Sequence, residues 1–428
     1  MKTRIGLALF ALGALLYFFN TDQAPIAQLQ DIDDSLQVAP ENPEWLRKDI
    51  AFWQSKLDQV PGEFSYKAKL AGAYGLSFSK SKVFADLFKA GTLWAEVNEQ
   101  THFKEAGFLR AAARNAISRH EFEQAESLLI QAEALGEGLR ATQLMRFDVA
   151  IELAQYDLAE QLINQTQDFS DPDFLIRYSK WNDYKGNLDE AIFRLEQVLA
   201  WAKERNNTSL EFWAVSNLGD YYGHAGAIEK AYAAYLKALE LDPSSTYAKK
   251  GIAYIAFAND QDPQKALSII DGITGANQNP DLLLLKADIF EFTGALQQRT
   301  EVLTQFKSVV QKQGLETLYR MPLVQIALDE KDFEQALTLA RAEVSHRATP
   351  QTYDLLAWAY YAAGDLDSAL KITEAQVLGQ SEEPVLLLHS AQILKAAGKL
   401  SAANTLKEEL EEASFELGPI ATKQVMAL

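Results

Sequence analysis

From Trp45 to the last residues of the chain, apolar positions recur at the three- and four-residue spacing of amphipathic helices, and the helices come in pairs. Each pair is two apolar stretches of helix length joined by a short turn, often holding a glycine. One alanine recurs along the pairs, at Ala90, Ala125, Ala159, Ala191, Ala231, Ala266, Ala336, Ala369 and Ala403. The steps are 35, 34, 32, 40, 35, 70, 33 and 34, and 70 is two periods of 35 with a degenerate copy between them. A fixed period in this range marks stacked helical hairpins, each burying its apolar face only against its neighbours. The pattern predicts an all-α solenoid of about ten hairpins. Such an array makes a long surface and no closed pocket, so it points to binding and away from chemistry.

The clearest copy reads WAVSNLGDYYGHAGAIEKAYAAYLKALELDPSS. Gly219 and Ala231 are small where two helices must approach closely, and Tyr222, Tyr235 and the leucines fill the space around them. Gly226 supplies the left-handed backbone of the turn. Pro243 ends the second helix. This arrangement of Gly219, Tyr222, Ala231, Tyr235, Ala238 and Pro243, with Leu218 before the glycine, resembles the tetratricopeptide repeat family. The resemblance runs over about Trp45 to Pro419 and implies a right-handed superhelical solenoid. Other copies carry Ala357, Tyr360, Gly364 and Ala369, or Ala391, Gly398 and Ala403, or Gly186 and Ala191. FDVAIELAQYDLAEQLI and VQIALDEKDFEQALTLA keep the alanine without a turn glycine. In the degenerate copy Arg299 stands where alanine is expected, which predicts a disturbed hairpin or a bend. Near the end, Glu408, Glu409, Glu411 and Glu412 read as the solvated face of a terminal helix.

Ahead of the repeats stands MKTRIGLALFALGALLYFFNTDQAP. Lys2 and Arg4 precede 15 uninterrupted apolar residues, Ile5 to Phe19, and no charge follows until Asp22. This is an export or membrane segment. Tyr17, Phe18 and Phe19 make a poor cleavage site, so an uncleaved anchor is favoured over a cleaved signal peptide. The positive-inside rule then sets Lys2 and Arg4 in the cytoplasm and the rest outside it, in a bacterium a periplasmic solenoid on the inner membrane. The expected organisation is a signal-anchor over 1–21, a spacer over 22–44, a solenoid over 45–418 and a tail over 419–428. The spacer, with Pro25, Pro40 and Pro43, reads as partly extended with a short helix around Ile26 to Leu36.

Charge narrows the partners. With 40 Lys+Arg against 59 Asp+Glu the formal net charge is −19, which repels phosphate backbones and argues against nucleic acid. The chain has no cysteine, which excludes disulfides, thiolate zinc sites, cysteine nucleophiles and an acylated-cysteine lipid anchor. His102, His120, His224, His346 and His389 are scattered, with no helical metal-ligand spacing. No phosphate-cradling glycine motif or calcium loop occurs. Ser79 and Lys82 form an isolated SxxK, and Asp31 and Asp33 an isolated DxD. The sequons at Asn164, Asn206 and Asn207 matter only in a eukaryotic secretory pathway. No enzyme activity, cofactor or metal is expected.

What the family resemblance implies is a concave groove lined by the first helix of each hairpin, holding a peptide or a partner helix. Counting back from the recurrent alanines places Lys180, Tyr184, Trp213, Ser216, Asp220, Trp358 and Tyr361 there. The cluster of basic residues and asparagine that clamps a C-terminal carboxylate in some members is missing. The expected function is a membrane-tethered, non-catalytic protein-interaction scaffold that assists assembly or stability of an envelope complex. A component of a polysaccharide synthesis or export system, or a regulatory subunit of a membrane enzyme, are the alternatives.

Overall fold

The computed structural model describes residues 24–411 and 413–428, so the apolar run Ile5–Phe19 and its basic flank lie outside the described residues. Among the described residues no helix is long and apolar enough to cross a membrane. The fold is all-α. Helix α1 (Glu44–Gln59) leads into α2 (Phe64–Ser81) and α3 (Phe84–Gln100), the first hairpin. Then come α4 (Ala106–Ser118) with α5 (Phe122–Leu135), α6 (Leu139–Glu152) with α7 (Tyr156–Gln165), and α8 (Pro172–Tyr184) with α9 (Leu188–Glu204). The fifth and sixth hairpins are α10 (Thr208–His224) with α11 (Ile228–Leu241) and α12 (Thr246–Ala258) with α13 (Pro263–Gly272). The last four are α14 (Pro280–Phe292) with α15 (Leu296–Gln313), α16 (Arg320–Asp329) with α17 (Phe333–His346), α18 (Pro350–Ala362) with α19 (Leu366–Ile372), and α20 (Pro384–Ala396) with α21 (Leu400–Leu410). Helix α22 (Ser414–Ala427) closes the chain and includes most of the expected tail.

Local chemistry sets the helix starts. Asn207, Ser245, Asp262 and Asn279 each accept, through a side-chain oxygen, a backbone N–H of the first turn, and Thr349 forms a reciprocal capping box with Thr352. Pro172, Pro263, Pro280, Pro350 and Pro384 stand at the first helical position, where a missing N–H costs nothing. The recurrent alanines are the tightest points: Ala90, Ala125, Ala159, Ala191, Ala231, Ala266, Ala336 and Ala369 are all 0% exposed. The ring of Tyr235 packs between Gly219 and Gly251, and a Cβ on either glycine would drive into it.

Turns explain the copies that lack glycine. Gly186, Gly226, Gly294, Gly364 and Gly398 all have positive φ, and His120, Ala154 and Lys331 hold the matching left-handed place at φ 59°, 56° and 60°. The repeat geometry imposes this conformation whichever residue is present, at the cost an L side chain pays there. The seventh hairpin is not broken by Arg299. Its guanidinium leaves the helix contact and pairs with Glu291 of α14 at 2.9 Å and with Asp329 of α16.

The array winds until it touches itself. The turn edge of early hairpins meets the joining loops of late ones, roughly six hairpins on. Phe84 and Phe88 pack on the α14–α15 core. His346 Nε2 donates to the His120 carbonyl at 2.6 Å, which requires the Nε2–H tautomer, and its ring packs on Phe122. Arg347 pairs with Glu152 at 3.2 Å. Gly186 lies against the Glu382 carboxylate, and Gly223 against the ring of Phe415 on α22. The seam therefore runs the length of one turn.

Residues Ile26–Val38, which the sequence reading assigns to the spacer, lie along α11–α13. A 3₁₀ turn at Leu29–Asp31 and a helical turn at Asp33–Leu36 carry Ile32 and Leu36 into the core with Ala27. The backbone N–H groups of Ile26 and Ala27 donate to Asp260 at 3.0 and 2.9 Å. Lys249, fully buried, donates to the carbonyl of Val38 at 2.9 Å.

Candidate functional site

The residues expected to line a groove lie on three first helices, α8, α10 and α18. On α8, Lys180 pairs with Glu152 at 3.0 Å, and Tyr184 stacks on Tyr156 at 4.5 Å and on Trp181 at 5.5 Å. On α10, Asp220 accepts from the phenols of Tyr235, at 2.5 Å, and Tyr247. Ser216 is buried and donates to the Phe212 carbonyl, so its hydroxyl is spent within the helix. Trp213 is 38% exposed. On α18, Trp358 lies flat on His389 of α20, with centroids 4.2 Å apart and planes 8° apart, and Tyr361 packs against the indole at 5.2 Å. His389 Nδ1 is 2.7 Å from the buried Asp354 carboxylate, which fixes the imidazole under the indole.

Carboxylates that the groove list omits define the interior as strongly. Counting eleven residues back from the alanine register gives Asp148, Lys180, Asp220, Asp288 and Trp358 in successive or alternate hairpins. Asp148 is clasped by Arg177 through Nε at 3.1 Å and Nη2 at 2.7 Å, yet burial still pushes its carboxyl up. Burial pushes Glu152 the same way, but Lys180 and Arg347 together hold it below the ordinary range. Asp183 of α8 is raised by burial against the pull of His224 and Lys180. Burial likewise raises Asp354, Glu383 and Glu416, carried by three different elements. Asp288 is pushed up to about 7 by enclosure, with Glu291 and Asp329 adding repulsion and Arg299 opposing. Asp288 and Glu383 both keep contact with solvent, so the desolvation that raises them comes from protein on most sides and is incomplete. Along these helices and the elements packed on them, the raised carboxylates outnumber the cations that oppose them. Among the described residues no His, Asp or Glu cluster has the arrangement of a metal site.

Part of this space is already occupied. Helix α22 lies against α10, α12 and α14. Phe415 meets Tyr254 edge to face at 5.3 Å, and Lys423 sits 4.2 Å from the centroid of Phe292. A break at Gly418 (φ 69°, ψ 173°) before Pro419 bends the helix into this position. Sequence periodicity carries no signal for such an arrangement, because it joins elements more than 120 residues apart.

The fold is an array of stacked helical hairpins of the kind that tetratricopeptide repeats build. The family model for the tetratricopeptide repeat matches residues 214–245, the copy centred on Gly219 and Ala231. The cellulose synthase operon protein C of Pseudomonas fluorescens (strain SBW25) is 24% identical over 326 residues, covering 72% of this chain and 25% of that protein. The chain therefore spans about a quarter of the length of that relative. Among solved structures, a tetratricopeptide repeat protein from Parabacteroides merdae is 18% identical, with 60% of this chain and 98% of that chain covered and a TM-score of 0.37. PilF of Pseudomonas aeruginosa is 19% identical, with 52% and 99% covered and a TM-score of 0.32.

Proposed function

We propose that the protein is a scaffold that recognises another protein through the interior of its closed turn, and that it takes a basic segment of that partner. The observation that carries this reading is the set of carboxylates Asp183, Asp288, Glu383 and Glu416, all raised chiefly by burial that the neighbouring groups among the described residues do not offset. A lysine- or arginine-bearing segment would supply the missing charge, and the stacked surfaces of Tyr184 and Trp358 offer rigid aromatic contact for its side-chain stems. Lys180, Tyr184, Trp213, Asp220, Trp358 and Tyr361 form the proposed contact set, with Ser216 in a supporting place within α10. The N-terminal segment 1–21 would tether this scaffold to the inner membrane with the solenoid on the periplasmic side, where it assists assembly or stability of an envelope complex.

Similarity to a cellulose synthase operon protein supports a second reading, a repeat component of a polysaccharide synthesis or export system. The two readings differ in what the scaffold serves and share the recognition surface.

Affinity capture of the full-length protein from detergent-solubilised membranes tests the interior. It is run beside a Glu383→Lys, Asp288→Lys double variant, whose sites both touch solvent. The reading expects one specific prey, lost in the variant and weakened by salt. Prey retained equally by both proteins contradicts it.

A further inference from the structure

Residues Ile26–Val38 form a strap whose two ends are held by opposite ends of the sixth hairpin. At its start, the N–H groups of Ile26 and Ala27 donate to the two oxygens of Asp260 at 3.0 and 2.9 Å. Asp260 belongs to the turn between α12 and α13, and its side chain is closed to solvent. Asn259 Nδ2 also donates to Asp260 at 2.9 Å, and Lys265 Nζ stands 3.9 Å away. A buried carboxylate that takes two of its donors from the strap is costly to leave without them, so the turn is a fitted receptor for this segment. One residue on, the Gln28 N–H donates to the Tyr232 phenol of α11 at 3.0 Å, and that phenol donates to Asp31 at 2.8 Å.

At the far end of the strap, buried Lys249 in the first turn of α12 donates to the Val38 carbonyl at 2.9 Å. Gln37 Nε2 donates to the carbonyl of Gly272, the last residue of α13, at 3.0 Å. Between the two ends Ala27, Ile32 and Leu36 are buried in the α11–α13 core. Gly272 leaves the room that Leu36 fills, since a Cβ there would stand 3.0 Å from Leu36 Cδ1. The strap therefore runs the length of the hairpin, and α12, with 13 residues, is about 20 Å long. The end of the strap that continues toward Ile5–Phe19 is the one seated at the turn.

This seating changes the reach of the chain. From Phe19, the last residue of the apolar run, to Glu44 at the start of α1 is 25 residues, which as a free spacer extend to about 85 Å. With the strap seated, only seven residues carry the chain from Phe19 to Ile26, and they span at most about 25 Å.

We propose that the strap makes the turn of the sixth hairpin the bilayer-facing point of the solenoid, held beside the phospholipid headgroups within about 25 Å of the hydrocarbon edge. The inference rests on the reading that the N-terminal segment enters a membrane. The chain carries a formal net charge of −19, which anionic headgroups repel. A free spacer would let the solenoid stand off from the surface, and the seated strap prevents it. A partner bound by the scaffold is thereby presented close to the membrane.

Energy transfer from a fluorophore on Gln264→Cys, an exposed site in the first turn of α13, to headgroup-labelled lipid tests this. The full-length protein is used in phosphatidylethanolamine–phosphatidylglycerol vesicles, and it has no native cysteine to compete for the label. An insert of about 60 glycine and serine residues between Asp22 and Gln23, ahead of the strap, raises the root-mean-square leash from about 15 Å to about 45 Å. Transfer is expected to fall at least about twofold with this longer leash. The same insert between Pro40 and Glu41, behind the strap, is expected to leave transfer unchanged. Equal loss from both inserts, or no loss from either, overturns the inference while the tether stands. A parent protein that fails to float with the vesicles overturns the tether and this inference with it.

Discussion

The phenol of Tyr254 donates to the backbone carbonyl of Phe415 at 2.9 Å across 161 residues of sequence, and the two rings meet edge to face. The same hydroxyl lies 3.1 Å from the carbonyl of Glu416. These carbonyls precede the break at Gly418, so Tyr254 satisfies acceptors that a continuous helix would have used itself. Through this pair the last helix of the chain is held within the turn it closes.

Removing residues 414–428 is therefore expected to raise amide hydrogen exchange in α10, α12 and α14, which lose their inner cover, while α4–α7 exchange as before. Phe415→Ala is expected to cost about 1–3 kcal/mol, the lower range for a phenylalanine that is only partly buried. Hydrogen-exchange mass spectrometry reads the first and thermal melts the second. Uniform protection after truncation would mean that α22 is an ornament of the surface.

Turn residues offer a test without any packing change. Ala154→Gly and Lys331→Gly should each stabilise by roughly 0.5–1 kcal/mol, because both residues stand at positive φ in the turn place that other copies fill with glycine. Gly226→Ala should do the reverse, and since a Cβ there meets nothing within 4 Å, its cost is purely conformational. Shifts in melting temperature report all three.

Restoring the family alanine at Arg299 is expected to destabilise the protein, by on the order of 1 kcal/mol. Arg299→Ala strips Glu291 and Asp329 of their shared cation and leaves them beside Asp288. Asp288→Asn should stabilise at pH 8 and be neutral at pH 4. A carboxyl whose folded pKa is raised to about 7 contributes most when protonated, and that contribution is lost as pH rises through 7. Melts of the single variants at both pH values separate these effects.

The histidine seam carries the opposite sign. Burial lowers the pKa of both His120 and His346, with Arg347 adding repulsion at each and Glu343 pulling the other way. Arg320 and Glu123 also face His346, and Glu152 faces His120. Their neutral forms stabilise the fold above the ordinary histidine pKa, and this is lost as pH falls through the lowered values. The double variant His120→Asn, His346→Gln should therefore lose less stability than the parent between pH 7.5 and 5.5. The difference between the two proteins is the readout, because the raised interior carboxylates strengthen both as pH falls.

Hairpins and their turns are legible in the sequence, because each is set by contacts within one repeat and its neighbour. The alanine spacing even contains Asp148 and Asp288, which the same count that places Asp220 and Lys180 would have found. What local pattern cannot carry is contact between distant repeats. Superhelical closure, the docking of Ile26–Val38 on α11–α13 and the seat of α22 depend on small rotations summed over many hairpins. Arg299 shows the complementary limit: its misfit with the repeat is visible in sequence, but its two carboxylate partners belong to α14 and α16 and emerge only when those helices are placed.

Closure of the turn is the premise of the interior site, and the absence of native cysteine makes it directly measurable. Nitroxide labels at Lys185→Cys and Glu382→Cys, one beside Gly186 and one on the loop it touches, report the seam by double electron–electron resonance. The account predicts a single short, narrow distance distribution in the full-length protein. A long or broad distribution, as in an open solenoid, would contradict it.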